Sequence, residues 1–141
     1  TGMATVDEIK LALTHLSKAK TCYLMHCVTQ YPVRPEDANL NVITTLRAEF
    51  PRHHIGYSDH TVGLQAALTA VALGAEVIEK HFTLDKSLPG TDHILSADPD
   101  ELRRLVIGIR EVETLLGSHH KKPTDDETKI KPFVRSRFAK G

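Results

Sequence analysis

The chain has 141 residues, enough for one domain with its own core, and its 18 lysines and arginines balance 18 aspartates and glutamates, so no overall field favours a nucleic acid or an anionic membrane surface. No apolar run approaches the roughly 20 residues that span a bilayer, and the start lacks a basic-then-apolar signal segment, so a soluble, cytoplasmic protein is expected. Opening on Thr1 rather than an initiator methionine, the chain reads as a piece of a longer protein.

A first helix is predicted from about Val6 to Ser17. Thr5 followed three residues on by Glu8 is a capping-box pattern, and Ile9, Ala12, Leu13 and Leu16 recur at helical spacing. The short apolar segment Cys22–Val28 reads as a buried strand, closed by Pro32, Pro35 and the turn formers around Asp37–Asn39. Its odd spacing sends Cys22 and Cys27 to opposite faces, which excludes a bridge between them and suits a reducing compartment. A second helix follows from Asn41 to Phe50 and stops at Pro51.

Ile55–Asp59 is the next predicted strand, and Thr61–Leu73 a helix with Leu64, Ala67, Leu68 and Val71 on one face, ended by Gly74. The same unit recurs with a strand at Val77–Phe82. Asp98, Pro99, Asp100 and Glu101 then supply an N-cap, a proline at the first helical position and acidic groups at the positive end of the dipole. Leu102, Leu105, Val106, Ile109, Val112 and Leu116 are expected to form that helix's buried stripe. Beyond Gly117 the polar stretch from Ser118 to Lys129 reads as a linker, with His119 and His120 facing water.

One helix followed by three strand-helix units implies an α/β fold with a parallel sheet covered by helices. The strand ends Thr29, Ser58 and Thr83 lie 29 and 25 residues apart, intervals that eight repeats would extend to an ordinary (β/α)8 TIM barrel. Three units cannot close one, so apolar sheet surface is left without a partner, and marginal stability or self-association is expected.

His60 and His81 each stand where an apolar run turns polar. At adjacent carboxyl ends of parallel strands they would converge although 21 positions separate them. Strand alternation puts Ser58 with His60, and Glu79 with His81 and Thr83, on one face. Two imidazoles suit a borderline divalent ion, Ser58 suits a phosphate or carboxylate oxygen, and Glu79 could ligate directly or orient a histidine. Asp59 points elsewhere and could cap the following helix. The loop Lys86–His93 contains a Pro-Gly turn, with Asp92 either meeting sugar hydroxyls or standing as an ordinary turn aspartate. For Thr29, Gln30 and Tyr31, ligand contact and loop packing both remain open.

These segments carry a resemblance. Thr1-Gly2-Met3-Ala4-Thr5, His26-Cys27-Val28-Thr29-Gln30-Tyr31-Pro32, Gly56-Tyr57-Ser58-Asp59-His60-Thr61, Glu79-Lys80-His81-Phe82-Thr83-Leu84-Asp85, Pro89-Gly90-Thr91-Asp92-His93 and Lys122-Pro123-Thr124 together resemble the sialic acid synthase family in order and spacing across nearly the whole chain. The resemblance implies that residues 1–117 are the last three β/α units, preceded by one helix, of a (β/α)8 barrel. It further implies that residues 118–141 are a linker towards a small antifreeze-like domain.

The implied reaction condenses phosphoenolpyruvate with N-acetylmannosamine or its 6-phosphate and water, giving N-acetylneuraminate or its 9-phosphate and phosphate. Sister enzymes make legionaminate, pseudaminate or a spore-coat sugar acid. The implied cofactor is a divalent metal, Mn²⁺ first and Mg²⁺ or Co²⁺ after it, with His60 and His81 as ligands. Ser58, Tyr31 and Thr29 match substrate-contacting positions, Asp92 matches an acceptor-contacting one, and Asp92 and Glu79 are the candidate catalytic carboxylates. Thr29 departs from the asparagine or serine frequent there. A homodimer is implied for the intact enzyme, while the phosphate-binding lysines and an acceptor-side glutamate of the family's earlier strands lie outside these residues. A different class of reading is a non-catalytic half-barrel that self-associates through its strand edges. Nucleic-acid binding is disfavoured by neutral charge and by only three tyrosines and four phenylalanines to stack on bases.

Overall fold

A computed structural model describes residues 1–136. Three short parallel strands, β1 (Tyr23–His26), β2 (His54–Asp59) and β3 (Val77–Lys80), form one sheet in the order β1-β2-β3. The helices are α1 (Val6–His15), α2 (Val42–Glu49), α3 (Gln65–Ala72), α4 (Pro99–Leu116) and α5 (Asp125–Ser136), with a 3-10 turn at Pro35–Asp37. Every predicted strand and helix is present; most are shorter than expected, while β2 begins one residue earlier, at His54.

Local sequence explains where these elements begin and stop. At α1, Thr5 accepts from the Glu8 amide, while the Glu8 carboxylate accepts from the Thr5 amide and hydroxyl, and these last two bonds hold the Glu8 carboxyl below its ordinary range. Asp98 and Glu101 repeat the arrangement at α4, with Pro99 at the first helical position. Helix α3 ends in a Schellman motif: Gly74, at φ 95°, donates to the Val71 carbonyl and Ala75 donates to the Ala70 carbonyl.

Alternation along the strands divides the sheet into two faces. Leu24, Ile55, Tyr57 and Ile78 point towards the helices and pack with Ile9, Ile43, Leu46, Phe50 and Ala70 into one core. His26 shares this face; it is buried, stacks on Tyr57 and bonds the Ala38 carbonyl through Nε2 at 2.9 Å. Met25, Gly56, Ser58, Val77 and Glu79 lie on the opposite face. There a Cβ at Gly56 would stand 2.3 Å from Met25 Sδ and 2.8 Å from the Val77 carbonyl oxygen, so close strand packing requires glycine.

Three expectations change. Of the stripe predicted for α4, only Leu105 is fully buried; Ile109 and Val112 are half-covered, while Leu102, Val106 and Leu116 are exposed. Helix α4 packs chiefly on α3, one neighbour, which covers only part of a broad apolar face. The stretch read as a linker contains α5, started by Thr124 and Glu127, whose side chains each meet the other's backbone amide. Residues 137–141 of that stretch lie outside the described residues. Asp59 does not cap α3, whose N-cap is Leu64 without a side-chain bond; its carboxylate is taken up by Lys80.

Candidate functional site

The carboxyl ends of the three strands carry the chemistry. His60 follows the last residue of β2, His81 the last of β3, and the loop after β1 brings Tyr31, whose peptide bond to Pro32 is cis, over both. The ring centroids of His60 and His81 are 5.3 Å apart and edge-on, and Tyr31 lies 4.3 Å from His60 and 5.9 Å from His81. Backbone bonds hold each histidine from an adjoining loop: Val33 donates to the His60 carbonyl and Ala97 to the His81 carbonyl.

The hydrogen bonds at His60 fix where its lone pair sits. Nδ1 lies 2.8 Å from the Val28 carbonyl, which can only accept, so Nδ1 carries the proton. Nε2 lies 3.3 Å from Ser58 Oγ, but the single hydroxyl proton of Ser58 is directed to Glu79 Oε1 at 2.6 Å. In the neutral ring the Nε2 lone pair is therefore left for another partner. A ring oriented through a backbone carbonyl on one nitrogen and open on the other is how an imidazole is prepared to bind a metal ion.

His81 is about one-third exposed, and its Nδ1 lies 3.7 Å from the Asp92 carboxylate. The loop carrying Asp92 is tied down at both ends. Thr83 donates through its hydroxyl to the Asp85 carbonyl and accepts from His93 Nδ1 at 2.8 Å. The Ser87 hydroxyl and amide both bond Asp85 and hold its carboxyl below the ordinary range. The amide and hydroxyl of Ser96 both donate to the Asp92 carbonyl, and Lys86 pairs with Glu101.

Tyr31, Ser58, His60, Glu79, His81 and Asp92 thus come together at one end of the sheet. Thr83 does not join them: it lies beyond β3, where alternation has ended, and its hydroxyl is spent on the loop. Thr29 is exposed and lines a cavity of about 530 Å³ with Thr1, Gly2 and Cys27. Among the described residues, no group of three or more His, Cys, Asp or Glu side chains is arranged to hold a metal ion. The two imidazoles, one with its lone pair already set, fit an ion that keeps its remaining positions for water or substrate.

Sequence reasoning missed a buried network on the other side of the same strand ends. Lys80 Nζ lies 2.9 Å from Asp59 Oδ2 and donates to the Thr61 carbonyl at 2.8 Å; the two side chains are 3% and 0% exposed. Asp59 Oδ1 accepts from the Thr61 amide and hydroxyl, both at 2.8 Å, and from the Tyr57 hydroxyl at 3.3 Å. Burial, then the Asp59 charge, pushes the Tyr57 phenol far above its ordinary range, so it remains a donor. The signal was available in alternation, which puts Asp59 and Lys80 on the helix-covered face where a lone charge would be costly.

Comparison with known proteins bears on the family and the fold. A family profile described as the NeuB family matches residues 1–121. The chain is 46% identical over 141 residues to the N,N'-diacetyllegionaminic acid synthase of Legionella pneumophila, covering 96% of this chain and 39% of the relative. It is 44% identical to the N-acetylneuraminate-9-phosphate synthase of Mus musculus, covering 86% of this chain and 34% of the relative. The crystal structure of an N-acetylneuraminic acid (sialic acid) synthetase from Leptospira borgpetersenii in complex with citrate superimposes with a TM-score of 0.84 at 40% identity, covering 96% of this chain and 47% of that one. The chain therefore spans less than half the length of these relatives.

Proposed function

The chain belongs to the NeuB family, and we propose that it forms the metal-binding part of the active site of a nonulosonate synthase, which joins phosphoenolpyruvate to an N-acylated hexose. In this reading its three strand-helix units are the last three of a (β/α)8 barrel, whose active sites lie at the carboxyl ends of the strands. The observation that carries the proposal is the meeting of Tyr31, His60 and His81 at three such ends, with the His60 Nε2 lone pair left open. Relatives named for legionaminic acid and for N-acetylneuraminate 9-phosphate match about equally well, which favours an acceptor class over one particular sugar.

The reaction forms one carbon-carbon bond, from C3 of phosphoenolpyruvate to the acceptor's aldehyde carbon. Water adds at C2, the C2–oxygen bond to phosphorus breaks, and the products are a nine-carbon 3-deoxy-2-keto acid and inorganic phosphate. His60 and His81 would hold a divalent ion, Mn²⁺ first and Mg²⁺ or Co²⁺ as alternatives. Such an ion supplies Lewis-acid polarisation of the aldehyde oxygen.

The remaining roles belong to positioned side chains. Ser58 turns its hydroxyl from Glu79 to an oxygen of phosphoenolpyruvate when that substrate binds. Glu79, relieved of that bond, accepts a proton from the water adding at C2. Asp92 receives hydrogen bonds from acceptor hydroxyls, and Tyr31 walls the site beside both imidazoles. Phosphoenolpyruvate is a cytoplasmic metabolite, and the two cysteines are free thiols, which suits that compartment.

The test uses the whole protein with phosphoenolpyruvate, Mn²⁺ and a panel of N-acylated hexoses, reading phosphate release and product mass. Acceptor-dependent phosphate release that disappears on chelation and in both His60→Ala and His81→Ala is expected. Absence of a condensation product with every acceptor, or full activity in either histidine variant, would sink the proposal.

A further inference from the structure

We propose that Asp59 and Lys80 are positioning residues that set the spacing and orientation of the His60 and His81 rings, an inference resting on the metal-site reading above. The paired ladder of β2 and β3 ends with Asp59 opposite Lys80, one residue before each histidine. Beyond that point no β2–β3 ladder pairing fixes the two strand ends relative to each other. The buried ion pair takes over on the opposite face of the sheet. Lys80 contacts Asp59 and the Thr61 carbonyl, the two residues flanking His60 in sequence, and is itself covalently joined to His81. One ammonium group therefore grips both neighbours of one imidazole while belonging to the neighbour of the other.

Energetics favour a geometric role over a stabilising one. A buried ion pair loses most of its Coulombic attraction to the cost of removing both charges from water, and a well-packed apolar pair commonly does as well or better for stability. What the charged pair adds is direction. Both charges have several directed partners: Lys80 Nζ bonds both Asp59 and Thr61, while Asp59 also takes the Thr61 amide, the Thr61 hydroxyl and Tyr57. The network admits one arrangement of residues 59–61, and that arrangement aims His60 Nδ1 at Val28 and Nε2 at the site.

The test compares the whole parent protein with Asp59→Asn/Lys80→Met, which removes both charges, and with Lys80→Arg, which retains the pair. Selective ¹⁵N labelling of the histidine rings reports the His60 tautomer without metal, and titration with Mn²⁺ alone reports affinity. In the folded double variant, the His60 ring signals are expected to average between tautomers and Mn²⁺ affinity to fall by roughly 10- to 100-fold. Lys80→Arg is expected to keep more of both signatures.

Parent-like ring spectra in the folded double variant would overturn the positioning role whether or not Mn²⁺ binds. Failure of the parent to bind Mn²⁺ would instead count against the metal-site reading, and the ring spectra would still decide the positioning role. If the double variant does not fold, Lys80→Gln, which keeps a neutral donor for Asp59 and Thr61, takes its place with the same expectation and the same overturning result. Unfolding of all variants would assign the pair to the stability of the whole domain and defeat the proposal.

Discussion

Ser58 Oγ donates to Glu79 Oε1 at 2.6 Å, a bond between directly paired residues of β2 and β3 that removes the hydroxyl proton from the reach of His60 Nε2. Ser58→Ala is accordingly expected to fold, with a stability loss of about 1 kcal/mol. Its KM for phosphoenolpyruvate should rise roughly 10- to 150-fold, corresponding to a lost hydrogen bond to a charged group. Steady-state kinetics with the acceptor saturating, beside a thermal melt, reads both; an unchanged KM would remove Ser58 from the substrate site.

Asp92 is half-exposed and reaches the site from a loop, with Thr91 donating to its Oδ1 at 3.0 Å and His81 near its Oδ2. Asp92→Asn keeps an acceptor for Thr91 but weakens the hydrogen bonds offered to sugar hydroxyls. The KM for the acceptor is expected to increase roughly tenfold while that for phosphoenolpyruvate stays within about twofold. Equal increases in both constants would contradict an acceptor-specific role.

Gly56→Ala tests the packing beneath the site. The added methyl meets Met25 Sδ, which can move, and the Val77 carbonyl oxygen, which belongs to the neighbouring strand and cannot move alone. A loss of about 1–3 kcal/mol is expected in denaturant unfolding, as for other overpacked interiors. A neutral result would mean that the β2–β3 spacing yields without cost.

His26 predicts an acid-side loss of stability. Burial lowers its pKa from the ordinary value of 6.5, opposed by the bond to the Ala38 carbonyl. Because the folded pKa lies below the unfolded one, the unfolded chain binds the proton more readily between the two values. The contribution is therefore fully present above about pH 6.5 and is lost as pH falls from there through the folded value. His26→Gln, which keeps a donor for the Ala38 carbonyl, should flatten the pH dependence of the unfolding midpoint over that interval; an unaltered slope would assign the acid sensitivity to another group.

Much of the fold was legible because its signals are local. Thr5 with Glu8, and Asp98 with Pro99 and Glu101, mark helix starts through bonds made within four residues, and Gly74 marks a stop through its own φ. Helix α5 carried the same Thr-x-x-Glu signal at Thr124 and Glu127, masked by a polar composition that suggested a linker. The α4 stripe was correctly periodic, yet periodicity specifies which face is apolar and not how much of it a neighbour covers.

For the site, the sequence by itself determined which residue types stand at the strand ends. A period of two placed Ser58 beside His60 and Glu79 beside His81, and helices between the strands implied parallel pairing. Tertiary structure alone decided how those ends meet: the ladder register that sets Asp59 opposite Lys80, the Val28 carbonyl that fixes the His60 proton, and the loop bonds that bring Asp92 to His81. The physical reason is range. Alternation and capping are properties of a few consecutive residues, whereas register, tautomer and loop closure arise from groups 11 to 32 positions apart that meet only when the chain has folded.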